Sequence, residues 1–324
     1  MTFTSKANSN IALIKYWGKR NHKLNLPAVG SISVTLDSLH TTTTVEIVDN
    51  NNDIIFINGA PAREKEFDRI TQFLDLVRKS YNIKSYFNIS TSNNFPLGAG
   101  LASSASGFAA LAHGVVNAAG INLSNKELSI LARQGSGSAA RSVFGGFVEM
   151  KLGGNGDSDL DFAEQIAPKS HWDLSVVILV TSGVEKKISS TNGMNMTAYS
   201  SPYYNAWISS SNSDIYEAKK AIAQKDFEKL ADVTEFSTLK MHALAMSARP
   251  GLIYWNGTTL ELINEVRELR ADGVPVFFTV DAGPQVKIIC PSDEKEKIKK
   301  HFVNRNGIEK IIVSDLGDGV KKID

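Results

Sequence analysis

Asn94-Phe95-Pro96-Leu97-Gly98-Ala99-Gly100-Leu101-Ala102-Ser103-Ser104-Ala105-Ser106-Gly107 is a loop of glycines, alanines and hydroxyls that runs straight into a small-residue helix, Phe108 to Ala119. Such a loop has few side chains to keep an anion away from the backbone, and glycine lets successive N–H groups converge on one point. The helix behind it adds unpaired N–H groups and the positive end of its dipole. A polyphosphate is the natural guest; close packing of a strand on a helix is the competing reading of the same residues. No Gly-Lys-Ser/Thr closes the loop, so it is not a Walker motif. Ser104 falls in the first helical turn, where its hydroxyl either reaches phosphate oxygens or a magnesium ion, or caps the helix.

Outward from this junction the pattern is mixed. Residues 30 to 60 read as strands, with alternation in Ser31-Ile32-Ser33-Val34-Thr35-Leu36 and β-branched runs at Thr41 to Ile47 and Ile54 to Ile57. Phe67, Ile70, Phe73, Leu74 and Val77 recur at helical spacing, which predicts a helix over 63–80. Ser124 and Glu127 form a capping box that opens a helix through Arg133, and Gly145-Gly146 leads into a strand ending at Met150. Leu174 to Thr181 is a buried strand by composition. Beyond residue 184 the character changes: Ser200 to Ser213 is polar and aromatic, and helices are expected near 214–223, 226–248 and 258–272, the last capped by Thr258 and Glu261. Strands at 276–280, 286–290 and 311–313 and a helix at 293–303 complete an α+β chain in two parts.

Bulk properties narrow the class. With 324 residues the chain can bury the core of one large or two modest domains. Its 35 lysines and arginines against 34 acids exclude a broad nucleic-acid surface but leave room for a local anion pocket. A single cysteine, Cys290, rules out an internal disulfide framework and suits a reducing compartment. Met1 to Lys6 lack the apolar centre of a signal peptide, and no apolar run is long enough to span a bilayer. The expectation is a soluble, cytoplasmic protein that binds neither membrane nor nucleic acid.

Further candidates for chemistry lie apart from the opening loop. Lys15-Tyr16-Trp17-Gly18-Lys19-Arg20 follows apolar Ile11 to Ile14; if the run is a strand, Lys15, Trp17 and Lys19 share one face unless Gly18 breaks the alternation. Three cations in six residues suit a doubly charged anion, and a solvated strand end is the bland alternative. Gly135-Ser136-Gly137-Ser138-Ala139-Ala140-Arg141 is a second hydroxyl-and-glycine turn entering a helix, with Ser136, Ser138 and Arg141 able to converge on one anion. It matches the G-x-G-x-x-A fingerprint only in letters, because it follows a helix rather than a strand. Lys186 to Thr191 adds cations and hydroxyls. Asp281-Ala282-Gly283-Pro284 ends an apolar strand, where the aspartate is either a turn former or, beside cations, a general base or electrostatic anchor. The histidines show no metal-ligand spacing; His242 reads as a helix residue in the core or at a pocket edge.

Together these blocks resemble the diphosphomevalonate decarboxylase family of the GHMP small-molecule kinase superfamily. The resemblance runs through Asn10 to Arg20, Leu24 to Pro27, Ser31 to Leu36, the opening loop, Gly135 to Gly146, Ser189 to Met194 and Thr279 to Pro284. It implies a two-domain, GHMP-kinase-like α+β body, residues 1–184 binding ATP and 185–324 forming the second half, with the active-site cleft between them. It implies ATP-dependent decarboxylation of mevalonate 5-diphosphate to isopentenyl diphosphate with ADP, phosphate and carbon dioxide released, ATP and Mg2+ taking part, and a homodimer. Carried over position by position, Lys15, Arg141 and Asp281 are catalytic, and Tyr16, Lys19, Ser136, Ser138, Arg141 and Ser190 bind substrate. Asn94, Pro96, Gly98, Ala99, Gly100, Leu101, Ala102, Ser103, Ser104 and Ser106 hold the nucleotide, with Ser104 also at the metal. Two departures stand out: Pro96-Leu97-Gly98-Ala99-Gly100 where the family has Pro-Thr-Ala-Ala-Gly, and Gln285 where Asn is usual. The rival within the superfamily phosphorylates mevalonate or its monophosphate without decarboxylation; relatives that stop there lack the Lys/Asp pair seen here as Lys15 and Asp281. A catalytically silent phosphometabolite-binding protein is the alternative from another class.

Overall fold

A computed structural model describes residues 1–95, 103–153, 158–184 and 187–323. The chain opens on β1 (Thr2–Ile14), turns through a small ribbon of β2 (Lys19–Asn21) and β3 (Leu26–Pro27), and returns on the long β4 (Ser31–Val48), antiparallel to β1. A hairpin of β5 (Ile54–Ile57) and β6 (Ala60–Pro61) precedes α1 (Glu64–Tyr81). Next come β7 (Tyr86–Asn93), α2 (Ser103–Ala118), α3 (Asn125–Gly135), the single-turn α4 (Ala139–Ser142), β8 (Phe147–Met150), β9 (Ala163–Ala167) and β10 (Leu174–Val180). The helices α5 (Ser190–Ser200), α6 (Tyr204–Gln224), α7 (Phe227–Met246) and α8 (Gly257–Ala271) follow. β11 (Phe277–Val280), β12 (Val286–Pro291), α9 (Lys295–Phe302), β13 (Lys310–Asp315) and β14 (Lys321–Lys322) end the chain.

Among the described residues, one eight-stranded sheet has the order β14-β1-β4-β7-β5-β6, with β8 paired to the first part of β4 and β9 to β8. A second, four-stranded sheet has the order β11-β12-β10-β13. β10 precedes residue 184 in the chain yet lies in this second sheet, while β14 and a bridge from Leu316 to Leu36 return the C-terminal residues to the first. The α+β class is as expected.

β10 shows how sequence builds the joint between the halves. All of Leu174-Ser175-Val176-Val177-Ile178-Leu179-Val180 is buried, because the strand has a core on each side. Val176 and Ile178 pack with Ile11, Leu13 and Val34 of the first sheet and with Ile222 and Leu230 of α6 and α7, whereas Val177 and Leu179 pack under α8 and α9. Each fully buried Val, Leu or Ile contributes about 1.5–3 kcal/mol, so the seam beneath the cleft is a tightly packed one.

Several local expectations are corrected. Lys15 to Gly18 do not continue β1: the strand stops at Ile14, and Gly18 takes a left-handed φ of 97° that turns the chain away. The stretch 200–213 is mostly helical, since α6 begins at Tyr204 rather than near 214. Burial decides this: Trp207 and Ser211 face the core, and the Trp207 indole donates to the Trp17 carbonyl at 3.0 Å. Tertiary contacts of that kind override a weak helix preference. α8 is capped by Asn256, whose side chain accepts from Thr259 N at 2.8 Å, two residues before the expected Thr258 cap. The capping box at Ser124 and Glu127 is as expected, and His242 sits buried in α7.

Candidate active site

The end of β1, the end of β11 and the start of β12 meet beneath α7, and each delivers one charge. Lys15, 1 % exposed, donates to the Ala12 carbonyl at 2.9 Å, to Thr279 Oγ1 at 2.6 Å and to Asp281 Oδ1 at 2.8 Å. Those three bonds use every donor an ammonium has. From the next strand Lys287, 0 % exposed, brings its Nζ to 3.4 Å from Asp281 Oδ2. Thr279 and Lys287 are direct cross-strand partners, which is why the two ammoniums converge on the residue just past β11. The Asp281 side chain is 24 % exposed and thus open to the cleft. Burial alone would raise its carboxyl, but Lys15 and Lys287 outweigh that and hold it well below the usual carboxylate range. Burial brings Lys15 down to about 8 despite the opposing pull of Asp281.

Arg141, 2 % exposed, stands beside this cluster. Its guanidinium donates to Asn10 Oδ1 at 3.1 Å, Ser31 Oγ at 2.7 Å and Ser33 Oγ at 3.0 Å. All three partners are neutral, so burial lowers its pKa to about 10 and leaves it fully charged near neutrality. A buried cation on neutral acceptors favours an incoming anion.

This floor opens into a cleft of about 1170 Å3 whose opposite side is lined by α1 and the starts of α2 and α4. Hydroxyls run along it: Ser104 Oγ is 3.3 Å from Ser136 Oγ, which is 3.3 Å from Ser138 Oγ. Tyr16 lines the same space, its buried hydroxyl without a hydrogen-bond partner among the described residues, and burial pushes it up to about 12. Gly137 makes room for it, since a Cβ there would lie 2.3 Å from the Tyr16 hydroxyl. Lys19 donates to Asn25 Oδ1 at 2.6 Å and is brought down to about 8 by burial and the neighbouring Arg69. A buried polar atom with no partner among the described residues, in a cleft lined by cations and hydroxyls, marks a place for an anionic ligand.

Residues 7–161 match the family model described as the diphosphomevalonate decarboxylase-like N-terminal domain, and residues 176–314 match the mevalonate 5-diphosphate decarboxylase C-terminal domain. A diphosphomevalonate decarboxylase of Candida albicans is 35% identical, over 96% of this chain and 94% of its own. The chain belongs to the diphosphomevalonate decarboxylase family. Among solved structures, a mevalonate diphosphate decarboxylase from Enterococcus faecalis superimposes with a TM-score of 0.92 at 36% identity, covering 100% of this chain and 99% of that one. MDDEF in complex with MVAPP, AMPPCP and magnesium superimposes with a TM-score of 0.93 at 37% identity, over 100% and 99% of the two chains.

Of the residues singled out in the sequence, Lys15, Tyr16, Lys19, Ser103, Ser104, Ser136, Ser138, Arg141, Ser190 and Asp281 all line this cleft. Arg141 is cradled by Asn10, Ser31 and Ser33 rather than bonded to Ser136 and Ser138. Two nucleotide candidates have other work. Asn94 donates to the Ser38 carbonyl at 2.7 Å and accepts from His40 N at 2.8 Å, tying the loop to β4. Ser106 is fully buried with its Oγ 2.7 Å from Thr41 Oγ1. Pro96, Gly98, Ala99, Gly100, Leu101, Ala102 and Lys186 lie outside the described residues. Arg20, the third cation of its run, turns to Asp161, with Nη1 3.1 Å from Oδ1. Gln285, the family departure, accepts from Thr181 N at 2.6 Å and donates to the Ser182 carbonyl at 2.5 Å, anchoring the Asp281 turn to the end of β10.

Sequence reasoning passed over Lys287 and gave Thr279, though within the resemblance, no role. The signal for Lys287 was present: one lysine inside the otherwise apolar run Val286-Lys287-Ile288-Ile289-Cys290. Lysine is almost never fully buried unless paired.

Proposed function

We propose that the protein converts mevalonate 5-diphosphate to isopentenyl diphosphate, consuming ATP and releasing ADP, phosphate and carbon dioxide. One observation carries this reading: a single carboxylate bracketed by two buried ammoniums, with a buried guanidinium beside it, on the floor of a cleft lined by hydroxyls. The floor has three cations to one acid, and it suits a substrate that brings its own negative charge.

In this reading Tyr16 and Lys19 hold the substrate diphosphate, and Ser136, Ser138, Ser190 and Arg141 hold its charged ends, with Arg141 also catalytic. Asp281 accepts the hydrogen bond of the tertiary hydroxyl. Because its pKa is depressed, it takes that proton only as the new P–O bond makes the hydroxyl oxygen acidic. Lys15 keeps Asp281 ionised and aimed. Phosphorylation turns hydroxide into a phosphate leaving group; when the C–O bond breaks, the leaving phosphate takes the electron pair and the proton back from Asp281, whose restored carboxylate faces the developing positive charge. The bond to the carboxylate carbon then supplies the alkene electrons, and carbon dioxide departs. Catalysis is positioning plus electrostatics.

Ser103 and Ser104 open α2 at the cleft and suit the phosphates of ATP. Among the described residues no group of three His, Cys, Asp or Glu gathers to hold a metal. Ser104, in the first turn of α2 at the cleft, would be the protein contact of a magnesium ion carried on the nucleotide phosphates, and the ion would neutralise phosphate charge there. We also propose the division at residues 184 and 185, a cytoplasmic setting and a homodimer. The lone buried cysteine supports a reducing compartment, no helix among the described residues is long and apolar enough to cross a membrane, and sedimentation of the purified protein tests the dimer.

Measuring ADP and carbon dioxide release on mevalonate, its 5-phosphate and its 5-diphosphate tests the reaction. Both products in equal amounts from the diphosphate alone are expected. ADP without carbon dioxide from a less phosphorylated substrate sinks the proposal in favour of the kinase reading.

A further inference from the structure

From the placement of Lys287 we infer that it is a positioning residue for the reaction, acting on Asp281 by pinning the second carboxylate oxygen. Lys15 holds Oδ1 only, and a carboxylate held at one oxygen still turns about its Cβ–Cγ bond, a broad torsion with little intrinsic preference. Lys287 Nζ, at 3.4 Å from Oδ2, closes that freedom from the opposite side. The plane of the carboxylate is then set by two strands, with β1 ending at one ammonium and β12 carrying the other. The position is a costly one for a lysine. Lys287 is fully buried, flanked along β12 by Val286 and Ile288, and lies across from Thr279 on one side and Ile178 on the other. From that buried position its Nζ comes within 3.4 Å of Asp281 Oδ2.

This role rests on the decarboxylation proposed above. Lys287→Met keeps the length of the side chain and removes the charge. The expected result is a kcat lower by about 10- to 100-fold, the scale of a misplaced reacting group, with KM for both substrates little changed. In an Asp281→Asn background the same substitution lowers kcat no further, because the group it acts through is gone. An unchanged kcat, a loss confined to KM, or an equal loss in both backgrounds overturns the role. Should Lys287→Met not fold, thermal midpoints decide. Asp281→Asn leaves the buried ammonium with one counter-charge fewer, so adding Lys287→Met to it should raise the midpoint, and a midpoint at or below that of Asp281→Asn overturns the pairing. Wild-type enzyme assayed alongside separates the two failures: an inactive wild type sinks the reaction, whereas an active wild type with an insensitive Lys287→Met sinks only this inference.

Discussion

On the floor of the cleft Lys15 and Asp281 meet at 2.8 Å across 266 positions of chain; on the wall Ser136 and Ser138 are two residues apart, with their hydroxyls 3.3 Å from each other. The floor exists only when both sheets are packed on their common core, because its charges come from strands of each. The wall is assembled locally, from the starts of helices and the turns before them. Floor groups are buried ions whose positions are over-determined by packing, so a change there disturbs the reacting geometry. Wall groups are neutral rotors that turn to suit a ligand. Floor substitutions should therefore fall on kcat and wall substitutions on KM, and each of the following experiments can break that division.

Asp281→Asn should show the largest effect. A lost general base costs on the order of 10²- to 10⁴-fold in turnover, while the neighbouring cations still bind substrate. Turnover near the wild-type value would remove Asp281 from the mechanism and with it the functional meaning of the floor. Arg141→Lys comes next. A lysine cannot reach Asn10, Ser31 and Ser33 together and still present a planar fork to an anion. Losing charge-assisted hydrogen bonds at about 1.5–3 kcal/mol each implies a fall of about 10- to 100-fold in kcat/KM. An unchanged value would show that any cation serves there.

Lys19 lies between the two regions and sharpens the comparison. Lys19→Met should raise KM for the diphosphate substrate by about 10-fold, as loss of one charge-assisted bond does, and leave KM for ATP nearly unaltered. Equal rises would move Lys19 to the nucleotide side.

The pH profile follows from the same two lysines. Lys15 and Lys19 are each lowered from 10.5 to about 8, so both are charged below that pH and lose their protons as pH rises through it. The alkaline limb of kcat/KM should therefore fall near pH 8, more steeply than one ionisation allows, and lose the extra steepness in Lys19→Met. Between the folded and unfolded values the unfolded chain binds more protons, so these two groups add stability as pH rises. A thermal midpoint that drops together with the activity over this interval would mean that unfolding, not deprotonation, causes the loss.

Local chemistry was legible in the sequence, and three-dimensional pairing was not. The Ser/Gly turn before Arg141, the alternation of cations and aromatics at 15–19 and the Asp before Gly-Pro each carry a signature over a few residues, and all of them line one cleft. That Arg141 rests on Asn10, Ser31 and Ser33, or that Lys287 reaches Asp281, depends on which strands become neighbours. The helix α5 and the first half of α6 escaped for a related reason. Their serines lower intrinsic helix preference, and Ser209 and Ser210 turn their hydroxyls back to the carbonyls of Ala206 and Trp207. Burial against the core holds these segments as helices, through Met194 and Thr197 in α5 and through Trp207 and Ser211 in α6.

Ser104→Ala should have the smallest effect and tests the wall most directly. Ser104 is the second residue of α2, within the helix rather than before it, and its Oγ points to Ser136 at 3.3 Å. If it meets phosphate or its metal ion, removing the hydroxyl forfeits about 1 kcal/mol, or about fivefold, and the loss should appear in KM for ATP while the thermal midpoint stays put. If it only supports the start of α2, the midpoint should fall and the kinetics should not. A hydroxyl in the first turn has that second role open to it because the leading N–H groups of a helix lack partners in the helix itself. Its distance from Ser136, a residue of the turn before α4, is what ties it to the ligand-facing row. A loss in kcat with KM for ATP unchanged would place Ser104 with the floor and erase the division between the two regions.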